Sequence, residues 1–383
     1  MKISVIGWEI PPIFSGGLGI HTINIFSIIS RMANIRLYVP KMKGLYKKYP
    51  FDVEQVPLSI NNNKTGEFTG SYYSAGKYFS ENSFNNFNDM IYQYNKSVEN
   101  IFKDDVDIIH CHDWITYEAG MYLKKKLGKP LVITVHSTEI DRSGNFYPQE
   151  YIMDIEKRAI KEADRIITVS GYTRDIVKQY YGGDESKMTV IYNGIDSNFI
   201  NLAEKEYRKY NKVLYFGRVT TQKGPRFFIE ASLKVLKYFP ETVFIIGGTG
   251  DLIDEMKQLA KELHVEPNYI FTGFVSLKDK ISYYKNADVF VLPAVSEPFG
   301  ISVIEAMSTG TPSIISYTTG VGEGLGNVLK CDYWDTEMIS DYIIAILKYK
   351  SLRETMGING QIESRKFTWE NAAIKTMEVY KSL

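Results

Sequence analysis

Two glutamates stand eight residues apart in Ser296-Glu297-Pro298-Phe299-Gly300-Ile301-Ser302-Val303-Ile304-Glu305-Ala306. Ionised carboxylates are pure acceptors and suit the hydroxyls of a sugar or ribose. The Pro-Phe-Gly turn between them leads into a helical pattern. The backbone N–H groups of Phe299, Gly300 and Ile301 therefore stand at a helix start, where an anion or a sugar hydroxyl can bind. Eight residues of uninterrupted helix would put the two acids on different faces, at about 3.6 residues per turn. With the turn between them, both can border one ligand. An isolated pair reads more simply as a loop acid and a helix-dipole partner, so other residues must decide.

Arg218 and Lys223 follow an apolar run and precede a helix opened by Pro225. Two cations there suit a diphosphate. Gly247-Gly248-Thr249-Gly250-Asp251 closes the next apolar run. Near the start, Gly16-Gly17 lies in a loop between an apolar run and a helical pattern, where glycine lets backbone approach a phosphate closely. It is not the dinucleotide fingerprint, because G-x-G-x-x-G is absent. His136 ends a strand-like run and is a candidate polar contact to a substrate. His110, His112 and His136 raise the question of a metal. Their spacing matches no H-E-x-x-H pattern, and His112-Asp113 reads as a loop-orienting pair, so no metal is expected. Cations for a diphosphate beside carboxylates for hydroxyls are what a nucleotide-sugar donor needs.

The elements that must hold these residues are legible as alternating patterns. Apolar, β-branched runs at 2–7, 35–40, 107–110, 130–135, 165–170 and 188–191 alternate with helical periodicity at 20–32, 87–102, 115–127, 151–163 and 172–181. The alternation restarts with runs at 212–216, 242–247, 269–274, 288–293 and 312–317, and helices at 225–238, 252–263, 277–286, 336–349, 352–366 and 368–381. The stretch 60–100 begins with hairpin or irregular structure and reads as an acceptor-side surface. Two such series predict two Rossmann-like, doubly wound α/β domains facing each other across a cleft, 1–195 and 196–366, with 367–383 as a closing helix. A cleft of that kind excludes water, as transfer to a hydroxyl requires.

At 383 residues the chain has material for two cores. Its formal net charge of +0 argues against a nucleic-acid partner. Cys111 and Cys331 form no disulfide or metal pattern and read as reduced thiols in a cytoplasmic protein. No signal peptide and no run of about 18 apolar residues is visible, so no transmembrane segment is expected, while peripheral membrane contact stays open.

Taken together, these segments resemble the family 4 retaining glycosyltransferases of the GT-B fold, and especially their glycogen-synthase-like branch. The likeness is carried by Gly16-Gly17-Leu18, His110-Cys111-His112-Asp113-Trp114, Thr134-Val135-His136-Ser137 and Tyr192-Asn193-Gly194-Ile195-Asp196. In the second half it is carried by Phe216-Gly217-Arg218, Lys223-Gly224, and Ser296 through Ala306. Phe367-Thr368-Trp369-Glu370 resembles the family's C-terminal helix, which crosses back to the first domain.

The resemblance implies a role for each position. Arg218 and Lys223 would hold the donor diphosphate as it leaves. Glu297, with the N–H groups of Phe299 to Ile301, would face the transferred sugar, and Glu305 the ribose. Gly250 would belong to the donor site, His136 would contact the sugar, and Gly16 and Gly17 would close over the phosphates. It further implies retention of configuration by front-face displacement without a metal or other cofactor, a double displacement on Glu297 being the weaker alternative. The expected activity is transfer of a hexosyl group, glucosyl first, from a nucleotide-diphosphate sugar to a carbohydrate hydroxyl such as an α-glucan. Mannosyl or other hexosyl transfer to a lipid-linked or small-molecule acceptor is the alternative, with a glycosidase or phosphorylase further off. One departure matters. Phe14 stands where ADP-glucose-dependent synthases carry the Lys of Lys-x-Gly-Gly-Leu, which counts against ADP-glucose and polymer synthesis and leaves UDP- and GDP-sugar donors and other acceptors open.

Overall fold

Runs such as Leu131–Val135 and Val289–Leu292 are apolar throughout and buried along their whole length. Strands of that kind belong in parallel sheets covered on both faces. The computed structural model describes residues 1–11, 17–41, 48–60, 64–66, 87–103, 105–144, 146–195 and 210–383. Gly16, Phe14 and the expected boundary at Asp196 lie outside the described residues.

The chain divides into two compact units. Unit 1 holds Met1–Glu139, Pro148–Gly194 and Trp369–Leu383. Its sheet comprises β1 (Lys2–Ile6), β2 (Asn34–Pro40), β3 (Asp52–Val56), β6 (Ile108–His112), β7 (Leu131–Val135), β8 (Arg165–Thr168) and β9 (Met188–Val190), in the order β3-β2-β1-β6-β7-β8-β9. Every pairing in it is parallel. A small antiparallel pair, β4 (Leu58–Ile60) and β5 (Lys64–Gly66), lies apart from it. The helices of this unit are α1 (Gly17–Ile29), α2 (Phe87–Ile101), α3 (Trp114–Leu127), α5 (Glu150–Glu162), α6 (Gly171–Tyr181) and α13 (Trp369–Lys381), and α13 packs on α1.

Unit 2 holds Ile140–Tyr147 and Ile195–Thr368. Its sheet has the order β12-β11-β10-β13-β14-β15, again all parallel. The strands are β10 (Lys212–Phe216), β11 (Val243–Gly247), β12 (Tyr269–Gly273), β13 (Val289–Leu292), β14 (Ser313–Ser316) and β15 (Leu329–Cys331). The helices are α7 (Pro225–Tyr238), α8 (Ile253–Glu262), α9 (Leu277–Asn286), α10 (Ile301–Ser308), α11 (Thr336–Lys348) and α12 (Lys350–Ser364). The short α4 (Glu139–Ser143) straddles the division.

Strand order reverses between β1 and β6 in unit 1 and between β10 and β13 in unit 2. Open α/β sheets bind ligands beyond the carboxyl ends of strands at such switch points.

The structure divides the chain differently from the domain reading: Ile195, Phe367 and Thr368 fall in unit 2, and so does a longer segment. Ile140–Tyr147 was expected in the first domain but groups with unit 2. Ser296 Oγ donates to Asp141 Oδ1 at 2.5 Å, and Gly144 lies against Val295. Two edge strands, β3 and β15, were not expected. Asp-Val-Glu-Gln-Val in β3 is exposed on alternate residues and too polar to register as a strand.

Candidate active site

In unit 2 the loops after β10 and β11 lie backbone to backbone. Gly217 N–H donates to the Gly247 carbonyl at 3.0 Å, and Val219 N–H to the Thr249 carbonyl at 3.0 Å. A Cβ on Gly248 would fall 2.0 Å from the Gly217 oxygen, and one on Gly250 2.1 Å from the Val219 oxygen. Gly250 thus has a packing reason to be glycine. Tyr215 donates its hydroxyl proton to the Arg218 carbonyl at 2.9 Å, fixing the backbone of that arginine. Burial, with Glu297 nearby, holds the Tyr215 phenol well above its usual pKa.

Lys223 ends a 3-10 turn, Thr221–Lys223, capped by Gly224 in the left-handed region at φ 63°. A Cβ there would lie 1.9 Å from the Pro293 carbonyl oxygen, so glycine is what lets this turn rest on the chain leaving β13. That close approach brings Lys223 Nζ into an ion pair with the Glu297 carboxylate, with side-chain exposures of 15% and 10%. Arg218 Nη2 donates to Gln222 Oε1 at 3.5 Å, and the Gln222 carbonyl accepts from Ser296 N–H at 3.3 Å. Arg218, Lys223 and Glu297 are therefore assembled at the ends of β10 and β13, on either side of the switch point.

Glu297 is fixed through its own backbone. Its N–H donates to the Thr318 carbonyl at 2.9 Å, and its carbonyl accepts from Gly320 N–H at 2.8 Å. The Phe299 carbonyl accepts from Val321 N–H at 2.7 Å. Phe299 is 3% exposed with its ring on Phe367, so its side chain is core and only its backbone is offered to a ligand. Gly300, at φ 104°, turns the chain into α10, whose first N–H groups, from Ile301, have no acceptor within the helix.

Glu305 sits inside α10 and is buried. Its Oε2 accepts from the Tyr284 hydroxyl at 3.0 Å and pairs with Lys280 Nζ at 2.6 Å. The two glutamates thus have different cations and different neighbours. Lys280 and Tyr284 escaped sequence reading. They stand four apart on α9 and share a face, but nothing in their spacing says that the face meets a carboxylate on α10.

In unit 1 the candidate His136 follows β7. Its N–H and that of Ser137 donate to Asp113 Oδ1, at 2.7 and 3.3 Å. Asp113 is held at φ 58°, a conformation non-glycine residues rarely adopt. Around His136 lie three more histidines. His112 Nδ1 and His136 Nε2 are hydrogen-bonded at 2.9 Å. His21, on α1, bonds Asn193 Oδ1 through Nδ1 at 2.8 Å. Both nitrogens of His110 are engaged, Nδ1 with the Tyr380 hydroxyl at 2.6 Å and Nε2 with Thr134 Oγ1 at 2.8 Å.

Burial holds these rings neutral. It lowers the pKa of His21 to about 4 and of His110 to about 3, and drives those of His112 and His136 well below the usual value. His136 therefore offers a neutral imidazole, able to donate or accept one hydrogen bond but not to carry charge. Gly17, the first residue of α1, is exposed, and none of the described residues comes within 4 Å of where a Cβ would stand. Sequence reading missed His21, whose place on a helical pattern gave no sign of what it faces.

Comparison with known proteins adds the family. The description "Glycosyl transferases group 1" matches residues 197–363, and "Glycosyltransferase Family 4" matches residues 63–199. An uncharacterised glycosyltransferase of Methanocaldococcus jannaschii is 30% identical over 400 residues, covering 100% of this chain and 98% of that protein. A glycogen synthase of Mycobacterium tuberculosis is 28% identical over 72% of this chain and 68% of its own length. Among solved structures, an Anabaena protein in complex with UDP and glucose shares the fold at a TM-score of 0.75 and 20% identity, with 100% of both chains covered.

Proposed function

Because this chain belongs to the family 4 glycosyltransferases of the GT-B type, we propose that it transfers a hexosyl group, glucosyl first, from a nucleotide-diphosphate sugar to a hydroxyl acceptor with retention of configuration. The observation that carries this reading is the assembly of Arg218, Lys223 and Glu297 beside the start of α10. Without donor, Glu297 balances the Lys223 charge. An arriving diphosphate gives Lys223 and Arg218 a stronger anion and releases the Glu297 carboxylate toward sugar hydroxyls. Glu305, anchored by Lys280 and Tyr284, takes the ribose. In unit 1, His136 takes a polar contact to the sugar and Gly17 a backbone contact to phosphate.

In the transfer, the bond from the anomeric carbon to the phosphate oxygen breaks on the face where the acceptor oxygen bonds, and the acceptor's proton passes to the departing phosphate. Arg218 and Lys223 stabilise the charge that builds on the diphosphate, so the step needs no metal. The chain works in the cytoplasm. Among the described residues no helix is long and apolar enough to cross a membrane, which leaves peripheral contact with a lipid-linked acceptor as the second reading.

A thermal-shift screen with UDP, ADP, GDP and their glucose and mannose conjugates tests the donor site. A ligand that binds only the folded chain raises Tm by mass action. One base is expected to stand out, UDP being favoured by the Anabaena complex. No shift with any nucleotide would overturn the reading. A mannose conjugate shifting more than its glucose counterpart would move it to the mannosyl alternative.

A further inference from the structure

The histidine cluster of unit 1 is not used in holding the diphosphate. We propose that His21, His112 and His136 form a binding site for a divalent transition-metal ion, zinc first, and that filling it inhibits transfer.

One ring nitrogen from each of the three lies within 4.8 Å of those of the other two. Nitrogens bound to tetrahedral zinc at about 2.0–2.1 Å stand roughly 3.3 Å from one another. His112 Nδ1 and His136 Nε2 are already 2.9 Å apart. Side-chain rotations moving a nitrogen by about 1.5 Å close the rest.

The hydrogen bonds prepare the rings as ligands. Asn193 Oδ1 only accepts, so the proton of His21 is on Nδ1 and its lone pair on Nε2. Metal-ligating histidines are oriented in this way, one nitrogen donating outward while the other faces the ion. His112 contrasts with its neighbour on β6. His110 has both nitrogens bonded, as a buried structural histidine should. His112 is fully buried; among the described residues its Nε2 has no hydrogen-bond partner, and its Nδ1 meets another imidazole. Two imidazoles facing each other share a proton at the point where a cation can replace it.

Three neutral imidazoles select zinc, nickel or copper over magnesium or calcium, which prefer oxygen. Three ligands also leave a fourth position for water or an anion. Entry is from the side of His136, the half-buried member of the three. An ion there engages His136, the ring that the proposed transfer assigns to the sugar. This inhibitory part rests on the proposed role of His136, whereas metal binding does not.

The test uses the full chain, stripped with chelator and titrated with Co2+, whose visible absorption reports four-coordinate nitrogen ligation. One equivalent should bind with intense bands and be displaced by one equivalent of Zn2+ but not by Mg2+. His21→Gln and His136→Gln should lose the bands, and Asn193→Ala should weaken binding about 10–100-fold. His136→Gln, at a half-buried ring, carries the test if the more buried variant does not fold. No cobalt bands, or equal affinity in wild type and both ligand variants, would overturn the site. One equivalent of Zn2+ should lower transfer, and chelator should restore it. Bound metal with unchanged transfer would sink the inhibitory role while leaving the site.

Discussion

The two sheets end their central strands in polar side chains of opposite electrical character. Unit 1 buries imidazoles and keeps them neutral, because burial moves their pKa values far below 7. Unit 2 buries charges and keeps them paired, Lys223 with Glu297 and Lys280 with Glu305. Both answer the same difficulty, since a buried polar group costs free energy unless it is neutralised or bonded. The answers differ in what they leave available. A paired cation can exchange its carboxylate for a phosphate, whereas a neutral imidazole can only rearrange hydrogen bonds. In the proposed transfer, the charge work of the diphosphate leaving group would therefore fall to unit 2.

The largest expected effect follows from that division. Glu297→Ala or Lys223→Ala should lower transfer by at least about 10^3-fold, roughly 4 kcal/mol in the barrier. A radiolabelled-sugar assay, with folding checked by circular dichroism, measures it. Wild-type rates in both folded variants would break the comparison. A glycine swap sharpens it. Gly224→Ala meets the Pro293 carbonyl and a strained φ, and should destabilise unit 2 by about 2–5 kcal/mol in urea unfolding. Gly17→Ala, at the start of α1 and clear of the described residues, should be neutral or stabilise by up to about 1 kcal/mol.

The pH dependence is the most diagnostic effect. His21 and His110 titrate at about 6.5 when unfolded but only near 4 and 3 when folded. The unfolded chain then binds protons that the folded chain refuses. Their contribution to stability is whole above pH 6.5 and is lost as pH falls toward 4, at about 1.4 kcal/mol per pH unit for each ring. Urea unfolding at pH 7, 6 and 5 should show unit 1 weakening first. Equal acid sensitivity in both units would count against the contrast.

Much of this was legible in sequence, for a physical reason. Parallel strands buried on both faces write themselves as unbroken apolar runs, and glycines at forced close approaches stand out beside them. Glu297, Arg218 and Lys223 each follow such a run, so their places at strand ends could be read one by one. What could not be read was who faces whom across long separations. Lys280 and Tyr284 looked like ordinary helix surface until α10 was laid beside α9. Asp141 sits on α4, 155 residues from its partner Ser296, in a stretch without periodic signal. The histidines were weighed as His110, His112 and His136, because chain order shows neighbours on strands. The helix α1 substitutes His21 for His110, whose nitrogens are already taken.

The passage of Ile140–Tyr147 into unit 2 bears on how such proteins can be recombined. Unit 2, the proposed donor side, is written in two pieces of the chain, with most of unit 1 before the first and a further stretch between them. A single splice near residue 195 would graft a second half that lacks Asp141, the acceptor for Ser296 next to the catalytic candidate Glu297. Exchanging donor preference between relatives therefore calls for two coordinated segments, the short one carrying the α4 carboxylate and the long one carrying the sheet. A chimera with only the long segment would inherit the residues of the site but not the contact that steadies them.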